Sequence, residues 1–132
     1  MTTIAQVRDA LADVVSATGL PALAYLSDTV NTPCAHVYPK AMDPRLVFSQ
    51  AKAEYPFGVI VYTNRTEPHE AQTMLDLCRE LTGAQSILQA VQGEWTVGVV
   101  DYCTVTRISE VETVEVAGVS YLIVEFDLEI VW

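Results

Sequence analysis

The chain has 132 residues, of which 51% are hydrophobic and 18% are charged, and its formal net charge is -10 at pH 7. A single folded domain spanning residues 1–132 is predicted, because a chain of this length buries roughly 65–70% of its unfolded surface. Acidic residues outnumber basic ones by 17 to 7, which excludes tight nucleic-acid binding through phosphate neutralisation. The sequence has neither a basic and apolar leader nor a run of about 18 apolar residues, so we expect no secretion by that route and no membrane span.

The N-terminal segment is predicted to be a helix. Thr3 followed by Gln6 forms a potential capping box, and apolar residues then recur at helical spacing. Gly19 and Pro21 end the helix, since glycine suits the left-handed C-terminal position and proline bars continuation. The apolar stripe consists of Ile4, Val7, Leu11, Val14 and Val15.

Two short strands are predicted next, over residues 21–26 and 34–38, and a long loop follows over residues 39–54. No periodic pattern continues through that loop, and it carries three of the seven basic residues, Lys40, Arg45 and Lys52. Loops longer than about 12–15 residues without structure of their own tend to be functional or disordered. The loop is therefore a candidate functional segment.

The middle of the chain predicts a central strand and two helices. Residues 55–64 are apolar on both faces over Val59 to Tyr62, as a strand with neighbours on both sides requires. A helix then begins near Glu67 and Pro68, because proline is tolerated and acid favoured in a first turn. Its apolar stripe is Ala71, Met74, Leu75, Cys78 and Leu81, and a shorter helical run follows over residues 86–92.

The C-terminal third predicts a β-hairpin. A strand is expected from about 97 to 114, Ala117-Gly118 forms the turn, and the segment 116–132 alternates as a strand with one buried face. One face carries Leu122, Val124, Phe126, Leu128, Ile130 and Trp132, and the other carries Tyr121, Ile123, Glu125, Asp127, Glu129 and Val131. Trp132 either ends the buried stripe or fills a pocket on a neighbouring molecule.

These elements together predict an α+β fold. We expect a mainly antiparallel sheet of four to five strands, with the N-terminal helix and the central helix pair packed on its apolar face.

Catalytic motifs are missing from the sequence. It contains no G-x-S-x-G elbow, no phosphate-binding G-x-x-x-x-G-K and no dinucleotide glycine fingerprint. Cys34 and His36 share one strand face, but no second pair completes the four ligands that zinc normally takes. The three cysteines are scattered, which predicts reduced, buried thiols in a cytosol. No cofactor or metal is predicted, and the chain is not expected to be an enzyme.

The remaining candidate is a row of carboxylates on the last strand: Glu125, Asp127 and Glu129. Such a row could hold a hard cation or supply an acid–base pair, but charges on a half-buried antiparallel sheet normally face water. Acidity is concentrated in this hairpin, because no Lys or Arg follows Arg107. The acids beyond it are Glu110, Glu112, Glu115, Glu125, Asp127 and Glu129.

The arrangement resembles the tail terminator, or tail completion, proteins of long-tailed bacteriophages. The likeness covers nearly the whole chain and rests on element order and local sequence, without an invariant chemical motif. The segments that carry it are TTIAQVRDALADVV, PCAHVYP, EYPFGVIVY, the helix opening at Thr66-Glu67-Pro68, SILQAV and VAGVSYLIVEFDLEI.

The resemblance implies a structural virion protein that assembles in the host cytoplasm. Members of the family form a ring, typically a hexamer, that caps the tail tube protein, stops tail growth and provides the surface for head joining. The implied partners are further copies of the chain, the tail tube protein and a head-completion or connector protein, while DNA passes through the ring without specific binding. Another head–tail connector or neck protein, a small metal-dependent enzyme and a soluble protein-binding module are the alternatives.

The charge layout predicts an assembly interface. A closed ring requires two different patches on each subunit, and the sequence separates a basic set from an acidic set. The candidate interface residues are Lys40, Arg45 and Lys52 in the loop, and Glu110, Glu112 and Glu115 in the hairpin.

Overall fold

The computed structural model describes residues 3–24, 33–41, 54–64, 68–80, 82–83, 85–93 and 100–132. Within these ranges the chain forms one six-stranded sheet and three helices. The helices are α1 (Ile4–Ser16), α2 (Pro68–Arg79) and α3 (Ile87–Val91). The strands are β1 (Ala22–Leu23), β2 (Cys34–Pro39), β3 (Glu54–Asn64), β4 (Tyr102–Ile108), β5 (Glu112–Val116) and β6 (Val119–Val131).

The sheet is built around β6. Its strand order is β1-β2-β3-β6-β4, and β5 also pairs with β6. Only β1 and β2 are parallel among the described strands, and the other pairs are antiparallel. β3 pairs with one side of β6 along its whole length, with Glu54 opposite Val131 and Asn64 opposite Tyr121. β4 and β5 pair with the other side of β6. The α+β class and the mainly antiparallel sheet are thus confirmed.

The strand predicted over residues 97–114 is interrupted, which raises the number of strands to six in the described part of the chain. Ile108 of β4 lies opposite Phe126, and Glu112 of β5 lies opposite Ile123. Ser109 fills the break, because its N–H donates to the Glu125 carbonyl at 2.8 Å and its hydroxyl accepts the Glu125 N–H at 2.8 Å. A side chain therefore replaces one backbone partner, so the single-strand prediction was wrong at this point. Residues 97–99 lie outside the described ranges.

The turn between β5 and β6 is the predicted two-residue hairpin. Val116 pairs with Val119, and the intervening Ala117 and Gly118 have φ of 52° and 81°. Positive φ at both central residues is the pattern of a type I′ turn, which matches the twist of the flanking strands. Alanine at the first of these positions carries a steric cost that glycine would avoid.

Helix α1 begins as its sequence predicts. The Thr3 hydroxyl accepts the Gln6 N–H at 3.2 Å, and the Gln6 side chain accepts the Thr3 N–H at 2.9 Å. This capping box satisfies two backbone donors at the helix start. Gly19 has a φ of 93°, beyond the last helical turn. The helix packs against β1, β2 and α3.

The helices cover one face of the sheet, as predicted. Phe57, Val124 and Phe126 are fully buried there, and α2 contacts both β3 and β6. Trp132 stacks on Tyr55 with ring centroids 4.1 Å apart and joins the same core, so it ends the buried stripe within its own chain. The helix residues buried in this core include Val7, Leu11, Val15, Ala71, Leu75, Cys78, Ile87 and Val91.

The predicted loop over residues 39–54 is only partly described. Pro39 ends β2 and Glu54 begins β3, and Lys40 is described between them. Arg45 and Lys52 lie outside the described residues, as do Thr66, Glu67 and Leu81 of the α2 prediction.

Candidate functional site

The face of the sheet opposite the helices brings the predicted carboxylate row next to the end of β2. Tyr38 on β2 lies opposite Gly58 on β3, and Gly58 lies opposite Asp127 on β6. Lys40 follows directly after β2, and its N–H donates to the Pro56 carbonyl at 2.9 Å. Residues 87 positions apart in sequence therefore meet across the middle strand.

Gly58 makes this meeting possible because it has no side chain. A Cβ at this position would lie 2.6 Å from Tyr38 Cζ, 2.7 Å from the Tyr38 hydroxyl and 2.8 Å from Lys40 Cε. All three distances are far inside van der Waals contact, so the Tyr38 and Lys40 side chains occupy the space above Gly58. Glycine within a strand often marks such a close approach.

The contacts beyond Gly58 form a polar cluster. The Lys40 ammonium lies 2.9 Å from Glu125 Oε1 and also hydrogen-bonds Asp127 Oδ1. The Tyr38 hydroxyl donates to Glu125 Oε1. These four residues, Tyr38, Lys40, Glu125 and Asp127, are hereafter the Lys40 cluster. Its charged side chains are only 27–31% exposed, so their ion pairs are less screened than pairs on an open surface.

The pKa shifts in the cluster follow from these contacts. Burial raises the pKa of Tyr38, and the hydrogen bond to Glu125 and the nearby carboxylates raise it further. Burial alone would lower the pKa of Lys40, but the hydrogen bonds and charges of Asp127 and Glu125 together outweigh burial and raise it. Both shifts favour a neutral Tyr38 hydroxyl that donates its hydrogen bond and a protonated Lys40 ammonium near neutral pH.

The Lys40 ammonium occupies the space between the first two acids of the predicted row. It bridges Glu125 and Asp127, the first two residues of the predicted row. Glu129, the third, is exposed and lies opposite Pro56 and Thr104. Among the described residues, no group of three or more His, Cys, Asp or Glu residues is placed to hold a metal ion. The row thus divides into an in-chain salt bridge and a surface acid.

The predicted interface acids lie elsewhere, on what we call the acidic hairpin, residues 110–120. Glu110, Glu112 and Glu115 are all exposed there. Within the described parts of the chain, no Lys or Arg forms a salt bridge to any of these three acids. Lys40 is 27% exposed and paired with acids of its own chain. Whether Arg45 or Lys52 meets these acids lies outside the described residues.

A cavity of about 740 Å³ opens beside the cluster, at the opposite edge of the sheet from the acidic hairpin. It forms where β1 covers only Ala35 and His36 of β2. His36 stacks on Tyr38 with ring centroids 5.7 Å apart. The described residues that line it are Arg8, Ala24, His36, Val37, Tyr38, Pro39 and Ile60, and we call it the Arg8 cavity.

Burial shifts the pKa values of a histidine at this cavity and of two cysteines in the core. Burial and the Arg8 charge lower the pKa of His36, so its imidazole favours the neutral form. Burial raises the pKa of Cys78 to about 11 and that of Cys103 to about 12. Both thiols stay protonated near neutral pH and pack as small apolar groups.

One residue in the sequence, Gly58, indicates the position of the Lys40 cluster, although hydrophobic periodicity does not. Gly58 interrupts an otherwise apolar and β-branched strand, which indicates a close approach by another group. The identity of that group depends on the register of β2, β3 and β6, so neither Lys40 nor Tyr38 was predicted to meet the row. Arg8 was not among the predicted site residues.

No protein-family model matches the chain, and no curated protein sequence matches it. In the described part of the chain, none of the helices has the length and apolar character needed to cross a membrane.

Proposed function

We propose that the chain is a structural virion protein of the tail-terminator class. In this proposal, copies of the chain form a ring that caps the phage tail tube, stops its growth and presents the surface to which the head joins. The support is the resemblance in sequence and element order, together with an α+β fold in which the resembling segments α1, β2, β3, α3 and β6 contribute to one core.

The observation that carries the proposal is the difference between the two edges of the sheet. One edge has β1, β2 and the Arg8 cavity, and the other has β4, β5 and the exposed acids of the acidic hairpin. A ring with rotational symmetry is closed by two different patches that meet head to tail. A chain with chemically distinct opposite edges satisfies this requirement.

The charge pattern supports the same role. The net charge is -10, and an acidic lining of the ring would repel the phosphates of passing DNA and prevent sticking. We also propose that Arg45 and Lys52 contribute to subunit contacts with Glu110, Glu112 and Glu115. Lys40 would support these contacts indirectly, because its ammonium is used within the chain.

The contacts of the candidate acids favour a structural role over a metal-dependent enzyme. Two of the three acids that such an enzyme would use are ion-paired with Lys40, whose ammonium would compete with a metal ion for them. A structural role involves no such competition.

The test is an assay of tail tube polymerisation. Adding the purified chain to polymerising tail tube protein should stop growth, and negative-stain images should show a ring at one end of each tube. Tubes that grow to the same length and carry no added density would overturn the proposal. Binding to the portal side with no effect on tube growth would instead identify a head–tail connector.

A further inference from the structure

One face of the β5–β6 hairpin is apolar and points away from the core of its own chain. Val116 lies opposite Val119, and Val114 lies opposite Tyr121, and directly opposite residues project from the same face of a sheet. Side chains alternate along a strand, so Val119 and Tyr121 share the face of Asp127, where the Lys40 cluster lies. The helices cover the other face. In the described part of the chain, this apolar surface is therefore left without a helix.

An aromatic pair extends the apolar surface onto β3. The ring of Tyr62 meets that of Tyr121 edge-on, with centroids 6.0 Å apart. Val119 is 51% exposed, the largest fraction among the exposed large hydrophobic side chains of the described residues, and the other members are partly exposed. We call this surface the valine–tyrosine patch; its residues are Tyr62, Val114, Val116, Val119 and Tyr121.

Glu112 supplies a charge at the border of the patch. It is exposed and lies opposite Ile123, so it projects from the same face. Glu115 lies opposite Ser120 and projects from the other face. Within the described ranges, no Lys or Arg forms a salt bridge to Glu112. The patch therefore fits an apolar group that is accompanied by a cation.

One segment of the same sequence has this chemistry. Residues 45–52, RLVFSQAK, lie outside the described residues, and their sequence sets three consecutive apolar residues, Leu46 to Phe48, between Arg45 and Lys52. An apolar run with a cation on each side complements an apolar patch with an acid at its border. Two copies of the patch do not complement each other, because Glu112 of each would meet a like charge.

The segment is too short to reach the patch of its own chain. Lys40 precedes it and Glu54 follows it, and both lie at the end of β3 remote from the hairpin turn. Val119 is roughly 33–40 Å from these two residues, at about 3.3 Å per residue along β6. Val47, in the middle of the apolar run, extends at most about 25 Å from either of them. The segment can thus meet the patch only on another copy.

We propose that residues 45–52 of one copy pack on the valine–tyrosine patch of the next copy, with Leu46 to Phe48 against the valines and the flanking cations near Glu112. This inference rests on the proposed ring and names a contact between its subunits. The segment and the patch are different surfaces, so the contact joins copies head to tail, as a closed ring requires.

Mixed disulfide cross-linking tests the contact between full-length chains. Ser49→Cys places a thiol beside the apolar run, and Val119→Cys places one on the patch. Equal amounts of the two variants should give a cross-linked dimer on mild oxidation, and either variant alone should give none. Leu77→Cys mixed with Ser49→Cys is the matched control, because Leu77 is 45% exposed on α2, and this mixture should stay uncross-linked. The native cysteines are buried and supply a low background.

Surface substitutions separate the apolar and the charged parts of the contact. Val119→Ser should reduce the fraction of ring in native mass spectra about tenfold, because it removes an apolar anchor, and Leu77→Ser should leave that fraction unchanged. Glu112→Lys should also reduce it about tenfold, because it turns an attraction into a repulsion. Glu129→Lys makes the same change in charge at an exposed position outside the hairpin and should have no effect. Circular dichroism checks the folding of each variant.

The outcomes separate this inference from the proposed function. Rings that form without the mixed cross-link, and that keep their yield in Val119→Ser, overturn the inference and leave the proposed function standing. A cross-linked dimer of Val119→Cys alone would mean that the patch pairs with itself, and would overturn the inference too. The mixed cross-link without a ring, in solution or on tail tubes, supports the contact and overturns the ring. A chain that gives neither overturns both.

Discussion

The C-terminal hairpin contains two acidic regions that the fold treats differently. On the far half of β6, Glu125 and Asp127 are partly buried and share the ammonium of Lys40. On the acidic hairpin, Glu112 and Glu115 are exposed, and no Lys or Arg of the described chain forms a salt bridge to them. Partly buried acids require a partner within the chain because unpaired burial is costly, whereas exposed acids are solvated and remain available for another molecule.

The largest expected effect on stability is at Gly58, because the Lys40 cluster needs a residue without a side chain at this position. Gly58→Ala should reduce the free energy of unfolding by about 1–3 kcal/mol, as overpacking does, because the new methyl group would overlap Tyr38 and Lys40. Urea denaturation measures the loss. In a Tyr38→Ala, Lys40→Ala background the same change should be neutral or stabilising by about 0.5 kcal/mol. An equal loss in both backgrounds would mean that the crossing side chains are not the cause.

Removing the Lys40 ammonium from the Lys40 cluster should have the next largest effect on stability. Lys40→Met keeps the length of the side chain but leaves Glu125 and Asp127 without their ammonium. We expect a loss of about 1–2 kcal/mol, the lower part of the range for hydrogen bonds to charged groups, because these partners are partly exposed. Arg107→Met removes one positive charge at an exposed position and serves as the control in the denaturation assay. If the two variants were equally stable, the Lys40 cluster would not stabilise the fold.

Substitutions in the hairpin turn should have smaller effects on stability, and the two central positions should give opposite signs. Ala117 has a φ of 52°, so Ala117→Gly should stabilise the chain by about 0.5–1 kcal/mol through relief of the left-handed conformation. Gly118→Ala, at a φ of 81°, should destabilise it. Thermal unfolding of the two variants checks the opposite signs, and a destabilising Ala117→Gly would contradict the turn geometry.

Acidification should lower the stability of the folded chain through His36, which lines the Arg8 cavity. The pKa of His36 is lowered from 6.5 by burial and by Arg8, so the folded chain resists a proton that the unfolded chain accepts. This stabilising contribution is fully present above pH 6.5 and is lost as the pH falls through the folded-state pKa. Thermal midpoints between about pH 7.5 and 5 should therefore fall more for the native chain than for His36→Gln. Parallel curves would show that His36 does not contribute.

The smallest expected effect on stability is at the exposed acids. Replacing Glu112 and Glu115 together with Gln should change the free energy of unfolding by less than about 0.5 kcal/mol, as is usual for exposed positions. In the proposed ring the same variant should assemble less well. A stability loss as large as that of Lys40→Met would remove the distinction between the two acidic regions.

Local patterns were sufficient to predict most of the fold. The capping box at Thr3, the alternation in β6 and the Ala117-Gly118 turn each depend on residues close in sequence, and each is present as predicted. The break at Ser109 was missed because a serine side chain there replaces a backbone partner on another strand. The hydrophobic periodicity of the sequence does not indicate where a side chain will replace a backbone hydrogen-bond partner.

The candidate site was less predictable because it depends on register. The acids of β6 were identified from alternation, but their pairing with Lys40 joins positions 87 residues apart through the alignment of three strands. The sequence placed Lys40 with Arg45 and Lys52 because they are neighbours in the chain. In the fold, Lys40 belongs with Tyr38, Glu125 and Asp127, and the cavity beside this cluster takes its cation from Arg8 in the first helix.

A double-mutant cycle measures this assignment of Lys40 directly. Lys40→Met and Asp127→Asn should show a coupling energy of about 1–2 kcal/mol in urea denaturation, within the range for residues in one hydrogen-bonded network. The parallel cycle of Lys40→Met with Glu112→Gln should show coupling within about 0.3–0.5 kcal/mol of zero, as for separated sites. Additive effects at Lys40 and Asp127, or stronger coupling between Lys40 and Glu112, would contradict the division between paired and exposed acids.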